Sequence, residues 1–300
     1  MLRSVFETRR LLLLHELRLR GTVTAVAEAL SFSPSSVSQQ LSLLEREAGV
    51  PLLEPDGRRL RLTAQGEMLA DHAARVLDLE ESIRGELETA GPSVVRVAVF
   101  QSAAHAILPR ALTLLAATHP GLRVESAEVP PEEGLFELAA RGFDLVLAEQ
   151  YPGHTREHHA ALDRDVIGRD PIRIALPPGD RARDLAGLSE HPWVMEPVGT
   201  AARQWAVQQC RAAGFDPDVR FEAADLTAHV RLIAGGHAAG LLPDLVWRDA
   251  QVPVKFLALP GEPRREIFVA SRAASSAREA VRSVRDALRV AFEETAENSA

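Results

Sequence analysis

The sequence predicts an α/β chain headed by a winged helix-turn-helix. Two observations carry this reading. Between Gly21 and Glu45 two short amphipathic helical patterns flank a polar turn, and beyond Pro92 apolar strand-like runs alternate with helical ones. The first pattern sets Val23, Val26, Ala27 and Leu30 at helical spacing. The turn is Ser31-Phe32-Ser33. The second opens with Ser33-Pro34, a hydroxyl N-cap followed by proline at the first helical position. It gathers Val37, Leu41 and Leu44 on one face and leaves Ser35, Ser36, Ser38, Gln39 and Ser42 off it. A second helix furnished with short hydrogen-bonding side chains suits a DNA major groove, where it meets base edges. The competing reading is a helical hairpin whose polar residues merely face solvent.

After Gly49-Val50-Pro51-Leu52-Leu53, the run Gly57-Arg58-Arg59-Leu60-Arg61-Leu62-Thr63 alternates basic and apolar residues. That pattern predicts a short hairpin arm with Arg59 and Arg61 on one side, a wing for phosphate contact. Thr63 is placed to cap a further helix, with Glu67 in its first turn.

At this point the sequence resembles the LysR-type transcriptional regulators. The resemblance rests on Gly21-Thr22, Thr24, Ala27, Ser33, Ser36-Val37-Ser38, Gln40, Leu44-Glu45, Gly49-Val50, Leu52, Gly57-Arg58, Leu62-Thr63 and Gly66, all in order and spacing. So many positions in register are a specific signal. Gln39 stands where an arginine is frequent, Pro34 where many members have glutamine, Leu53 where an aromatic is usual, and Pro55 where a basic residue is usual. The resemblance implies DNA contact by Thr24, Ser33, Ser35, Ser36, Ser38, Gln39, Gln40, Arg58, Arg59 and Arg61, over a DNA-binding domain at 1–66.

From Glu67 to Leu87 the residues Leu69, Val76 and Ile83 recur every seven positions, with Ala73 and Leu87 in the second set. Heptad spacing favours a helix that pairs with its own copy, although Glu80 interrupts the second set. The resemblance implies that this 67–91 linker joins two protomers, giving a homodimer or homotetramer.

A net charge of −8 looks wrong for a DNA binder until it is divided: residues 1–66 hold nine arginines and seven acids, and the excess of acid lies beyond them. The basic patch is local. It is weak enough that two heads on one duplex are expected. No apolar run approaches the ~20 residues that span a bilayer, and the charged N-terminus lacks a signal peptide's apolar core. With a single cysteine, Cys210, there is no internal disulfide. A cytoplasmic protein is the expectation.

Beyond Pro92, strands are predicted at 94–99, 122–128, 144–148, 193–196, 219–222, 240–243, 252–258 and 266–270. Helices are predicted at 105–118, 132–141, 201–213, 226–236 and 278–292. Such alternation implies a parallel sheet flanked by helices, broken near 151–164. The family resemblance further implies a two-lobed, periplasmic binding protein-like effector-binding domain over 92–300. Lobe I would take about 92–170 with 265–300, and lobe II about 171–264.

Ligands of open α/β sheets sit at the carboxyl ends of strands. Gln101-Ser102, Glu149, Thr200 and Asp225 lie at such ends. Ser102 and Thr200 are read as helix-start hydroxyls able to hold a carboxylate, and Glu149 or Asp225 as partners for an ammonium. An amino acid or other carboxylate is the expected effector. Taken alone, each of these residues is better explained as a helix cap or a solvated loop acid. His154, His158 and His159 lack partners at metal-ligand spacing, so no metal is expected. No P-loop, dinucleotide fingerprint or Ser-His-Asp context appears, so neither cofactor nor catalysis is expected. The alternative is a small-molecule-binding or enzymatic α/β protein whose helical head makes protein contacts. Salt-dependent affinity for duplex DNA separates the two.

Overall fold

The computed structural model describes residues 6–57, 59–87, 93–154, 162–247 and 253–297. Two compact units emerge, Met1–Thr89 and Ala90–Ala300. The first holds α1 (Thr8–Arg20), α2 (Val23–Ala29), α3 (Pro34–Ala48), the hairpin β1 (Leu53–Asp56) with β2 (Arg59–Leu62), and the long α4 (Ala64–Leu87). Leu14 and Leu17 of α1, Val26 of α2, Val37, Leu41 and Leu44 of α3, and Ala70 and Ala73 of α4 form one buried cluster.

Local chemistry sets the breaks. The Thr22 hydroxyl accepts from the Ala25 amide and starts α2, and the Ser33 hydroxyl accepts from Ser36 and starts α3. Ser31 adopts a left-handed φ of 56° between them. The Glu45 carboxylate accepts the amides of Leu52 (2.9 Å) and Leu53 (3.1 Å), tying the wing to α3. Thr63 donates to the Pro51 carbonyl and caps Gly66. A Cβ at Gly66 would lie 2.1 Å from the Leu52 carbonyl oxygen, so only glycine lets α4 pass this close. These contacts make Leu44-Glu45 and Leu62-Thr63-x-x-Gly66 local structural units.

Along α4 the heptad residues divide. Ala73 is buried, and Leu69 and Val76 are partly buried, against the head's own core. Ile83 and Leu87 are exposed, together with Met68 and Leu79, which the heptad reading did not single out. At helical spacing Met68, Leu79, Ile83 and Leu87 share one side, with Leu69 and Val76 at its margin.

The second unit contains β3 (Val94–Val99), α5 (Gln101–Ala106), α6 (Leu108–Thr118), β4 (Arg123–Glu128), α7 (Pro131–Ala139), β5 (Leu145–Gln150) and β6 (Leu162–Leu176). It continues through β7 (Pro192–Met195), α8 (Ala201–Ala212), β8 (Asp218–Glu222), α9 (Leu226–Ala234), β9 (Gly240–Pro243), β10 (Lys255–Ala258), β11 (Arg264–Arg272) and α10 (Glu279–Glu297). The main sheet runs β10-β6-β11-β5-β3-β4, with β9 also on β6. Pairs β3–β4 and β3–β5 are parallel. All pairs involving β6 or β11 are antiparallel, so the sheet is mixed rather than parallel throughout.

Two lobes with separate cores result. One gathers Val97, Val99, Ile107, Leu147, Ile267 and Leu288; the other Ile174, Leu188, Trp193, Trp205 and Cys210. Strand β6 runs through both, with Ile167 in the first core and Ile172 in the second. The sequence reading missed β6 because Gly168 and Pro171 look like strand breakers. Gly168 is there because a Cβ would strike the Phe292 ring of α10 at 1.9 Å. The helix expected over 105–118 divides at Ile107, since Pro109 has no N–H to continue the α5 ladder. Among the described residues no helix is long and apolar enough to cross a membrane.

Candidate DNA-binding face and effector cleft

The outward side of α3 is polar along its whole length. Ser35, Ser38, Gln39, Ser42 and Arg46 are exposed, opposite buried Val37, Leu41 and Leu44. Thr24 and Ser33 are exposed beside them. Ser33 is committed as the cap and shares a 3.0 Å hydrogen bond with Ser35. Ser36 and Gln40 sit on the flank, partly buried. The Gln40 side-chain oxygen accepts from Arg10 at 3.0 Å, which ties this side chain to α1. Arg46, on the outward stripe, escaped the sequence reading because one arginine on a helix reads as a solvated charge.

In the wing, Arg61 pairs with Glu54 across the hairpin yet stays largely exposed. Leu62 turns inward and is buried. Arg59 lies in β2 opposite Asp56, with its side chain outside the described residues. Arg58, His158, His159 and the Gly91-Pro92 stop also fall outside them.

The strand ends of the second unit do converge, but on each other. Ser102 and Glu149, expected to face a ligand, are buried at 2% and 8% exposure. Ser102 is not a cap either: Phe100 precedes α5 and Ser102 is its second residue. The cause is Arg265, itself 1% exposed. Its guanidinium donates to Glu149, to the Ser102 hydroxyl at 2.7 Å and to Asp170 at 2.9 Å. Asp170 also accepts the amide of Leu245, whose side chain enters the first lobe's core, at 3.1 Å, and the Phe100 ring lies 5.1 Å from the guanidinium carbon. Burial opposes the charge on Arg265, but Glu149 and Asp170 hold its pKa above the ordinary value. Burial, with Glu149 next, likewise pushes the Tyr151 phenol well up.

A clasp joins the lobes. Gln101 donates to the Asp225 carboxylate at 2.7 Å and accepts the Leu226 amide at 2.7 Å, at the start of α9. Asp225 caps that helix through Thr227. Although burial pushes its pKa up, these hydrogen bonds hold it below the usual range. Thr200 caps α8, accepting from Arg203 at 3.2 Å and donating to the Pro197 carbonyl at 2.9 Å.

Glu196, which the sequence reading did not single out as a site residue, directly follows β7 and precedes Thr200. Its backbone carbonyl accepts from Arg203. Its carboxyl is pushed up to about 8, first by burial and then by Glu149, with Glu132 adding and Arg265 offsetting. Glu132 and Glu149 belong to one lobe and Glu196 to the other, so this acid lies between them. Among the described residues no group of three His, Cys, Asp or Glu side chains is arranged to hold a metal.

Comparison with known proteins decides the family. The model for bacterial regulatory helix-turn-helix proteins of the lysR family matches residues 8–67, and that for the LysR substrate binding domain matches 91–293. The chain belongs to the LysR family. The DNA-binding transcriptional dual regulator OxyR of Escherichia coli is 26% identical over 287 residues, covering 88% of each chain. The HTH-type transcriptional activator IlvY of Salmonella typhimurium is 25% identical, over 76% of this chain and 79% of that one. Among solved structures, a full-length OxyR cysteine variant from Pseudomonas aeruginosa has a TM-score of 0.67 at 17% identity, covering 96% of both chains. This LysR-type protein is a DNA-binding transcriptional regulator with an effector-binding domain of two α/β lobes.

Proposed function

We propose that this regulator reads its operator through the outward stripe of α3, as a homodimer joined along α4. The observation that carries the reading is that stripe: Ser35, Ser38, Gln39 and Ser42 stand exposed on a helix whose opposite side is locked into the core. Gln39 is the base reader, because its amide matches the adenine edge in two hydrogen bonds. Thr24 and Ser36 flank it, and Arg61, with Arg58 and Arg59, contacts phosphate. The seam uses Leu79, Ile83 and Leu87 with Leu69 and Val76 at its edge, while Ala73 serves the head's core. The protein acts by binding rather than catalysis, and its target places it in the cytoplasm.

The effector is an amino acid or a similar molecule bearing both ammonium and carboxylate. Its carboxylate lies at the start of α8 beside Thr200, where the first backbone amides of a helix favour an anion. Its ammonium pairs with Glu196, since Glu149 and Asp225 are already engaged. Three relatives carry names for hydrogen peroxide response, but a thiol sensor needs an accessible thiolate. Cys210 is fully buried, and burial pushes its thiol up to about 12.

Fluorescence anisotropy on promoter duplexes over a sodium chloride series tests the DNA reading: log affinity falls linearly with log salt, and a flat line overturns it. A screen of amino acids on the full chain by isothermal calorimetry tests the effector. Binding through Glu196 releases a proton below pH 8 and weakens with acid, and Thr200→Val loses the ligand's effect on the DNA footprint. A ligand whose affinity ignores both pH and Thr200 sinks this assignment.

A further inference from the structure

Helix α1 opens with two adjacent arginines whose surroundings differ. Arg10 is partly buried and engaged on three sides: it pairs with Glu7 at 2.8 Å and with Glu47, and donates to Gln40 at 3.0 Å. Arg9 is exposed and meets no carboxylate at ion-pair distance among the described residues. Its guanidinium lies instead over the Phe32 ring, 4.6 Å from the centroid.

Phe32 is the middle of the turn between α2 and α3. Ser31 before it takes the left-handed φ, and Ser33 after it caps α3. The ring is partly buried and packs on the head's core, so it is a fixed platform. A cation over such a ring gives up rotamer freedom in exchange for the attraction of the ring face. The first turn of a helix is otherwise an unfavourable place for a cation, because the helix dipole is positive there, and α1 carries no acid in that turn. A guanidinium is thus held in place at the start of the recognition helix with no carboxylate to neutralise it.

Its position is beside the groove-facing stripe. Ser33, Ser36 and Gln40 follow one flank of α3 at helical spacing, and α1 meets that flank through Arg9 on Phe32 and Arg10 on Gln40. A helix seated in the major groove has a sugar–phosphate strand on each side. The wing is tied to the other end of α3, through Glu45.

We propose that Arg9 is a phosphate contact and that Phe32 positions it, so that α3 is held in the groove from both of its ends, by Arg9 at the first and by the wing at the last. The inference rests on the reading of α3 as the recognition helix. Guanidinium forks match phosphate oxygens in paired hydrogen bonds. Such a contact fixes orientation and carries no base information.

The test uses the full chain with a promoter duplex and a random-sequence duplex, titrated by fluorescence anisotropy over a sodium chloride series. Each neutralised phosphate adds about 0.9 to the slope of log affinity against log salt. Arg9→Gln is expected to lower that slope by about one per head and to weaken both duplexes alike, by about tenfold at low salt. Arg9→Lys keeps the charge and should keep most of the slope. Phe32→Leu keeps an apolar side chain on the core but removes the ring; it should lose part of the affinity, and Phe32→Tyr should restore it. Trp193, Trp205 and Trp247 all lie in the effector-binding domain, so the head's fold is checked by circular dichroism on heating. Arg9 is exposed, so Arg9→Gln leaves the fold in place and decides the contact even where Phe32→Leu loosens the head. An unchanged slope in Arg9→Gln, or a loss confined to the promoter duplex, overturns the phosphate contact. A Phe32→Leu variant that binds as the wild type does overturns the platform. A wild type without salt dependence would instead sink the DNA reading itself.

Discussion

The recognition helix and the cleft use similar residues in opposite ways. On α3, Ser35, Ser38 and Gln39 point outward and compete only with water, while apolar residues of the same helix hold the backbone still. In the effector-binding domain, Ser102, Glu149 and Asp170 are buried and all meet one arginine that is distant in sequence. The head keeps its polar groups available on a rigid scaffold. The effector-binding domain instead closes a buried charge network around Arg265 and ties its lobes through Gln101 and Asp225, and the proposed ligand falls to Glu196 and the α8 start. A helix presenting groups to DNA must be preformed; a cleft that signals must have contacts worth rearranging.

The largest expected effect comes from breaking the inward network. Arg265→Met leaves Glu149 and Asp170 buried without their cation and should destabilise the effector-binding domain by about 3–5 kcal/mol. Urea unfolding followed by tryptophan emission reads this domain alone, and an unchanged midpoint would show that the network holds nothing. Next is the seam. Leu79→Asp with Ile83→Asp should raise the dimer dissociation constant about 100-fold, roughly 2.7 kcal/mol. Both residues are exposed, so the head stays folded, and light scattering that still reports a dimer at low micromolar protein would move the interface elsewhere. On the outward face, Gln39→Ala should cost about 1–3 kcal/mol at the operator and little on random duplex; equal losses on both would remove its base-reading role.

Smaller effects sharpen the contrast. Glu196 has a carboxyl raised to about 8 in the folded chain. Stability from its protonated form is full at acid pH and is lost as pH rises toward 8, because the unfolded chain ionises first. Solvent reaching this half-buried group trims the effect to about 1 kcal/mol between pH 5 and 8. Glu196→Gln should flatten that slope, and an identical slope in the variant would assign the pH dependence to other groups. The smallest is Arg61→Ala, already shared with Glu54. It should weaken all duplexes alike and reduce the salt slope by about one at most, whereas a loss confined to the operator would make Arg61 a base reader.

The same contrast explains what could be read in advance. The helix-turn-helix was legible because its determinants are neighbours: Ser33 caps Ser36, Thr63 caps Gly66, and Leu41 and Leu44 follow Val37 at helical spacing. The strand-end positions of Gln101, Glu149, Thr200 and Asp225 were legible for the same reason. What those side chains do was not. Gln101 meets Asp225 across more than a hundred residues of chain, and Arg265 was one arginine among 33 until it stood beside Asp170. Strand β6 was hidden because Gly168 answers to Phe292 on another element.

By itself, the sequence determined the element types, the caps, the outward face of α3, the local basic charge of the head and the apolar repeat of α4, since all of these arise from contacts within about one or two helical turns. Tertiary structure alone decided that Ser102 and Glu149 serve Arg265, that burial and Glu149 raise the Glu196 carboxyl, that Ala73 belongs to the head's core, and that Gln150, Arg169, Arg264 and Glu266 share a cavity. Burial and charge act through space, and the register of β5, β11 and β6 sets which distant side chains share a face.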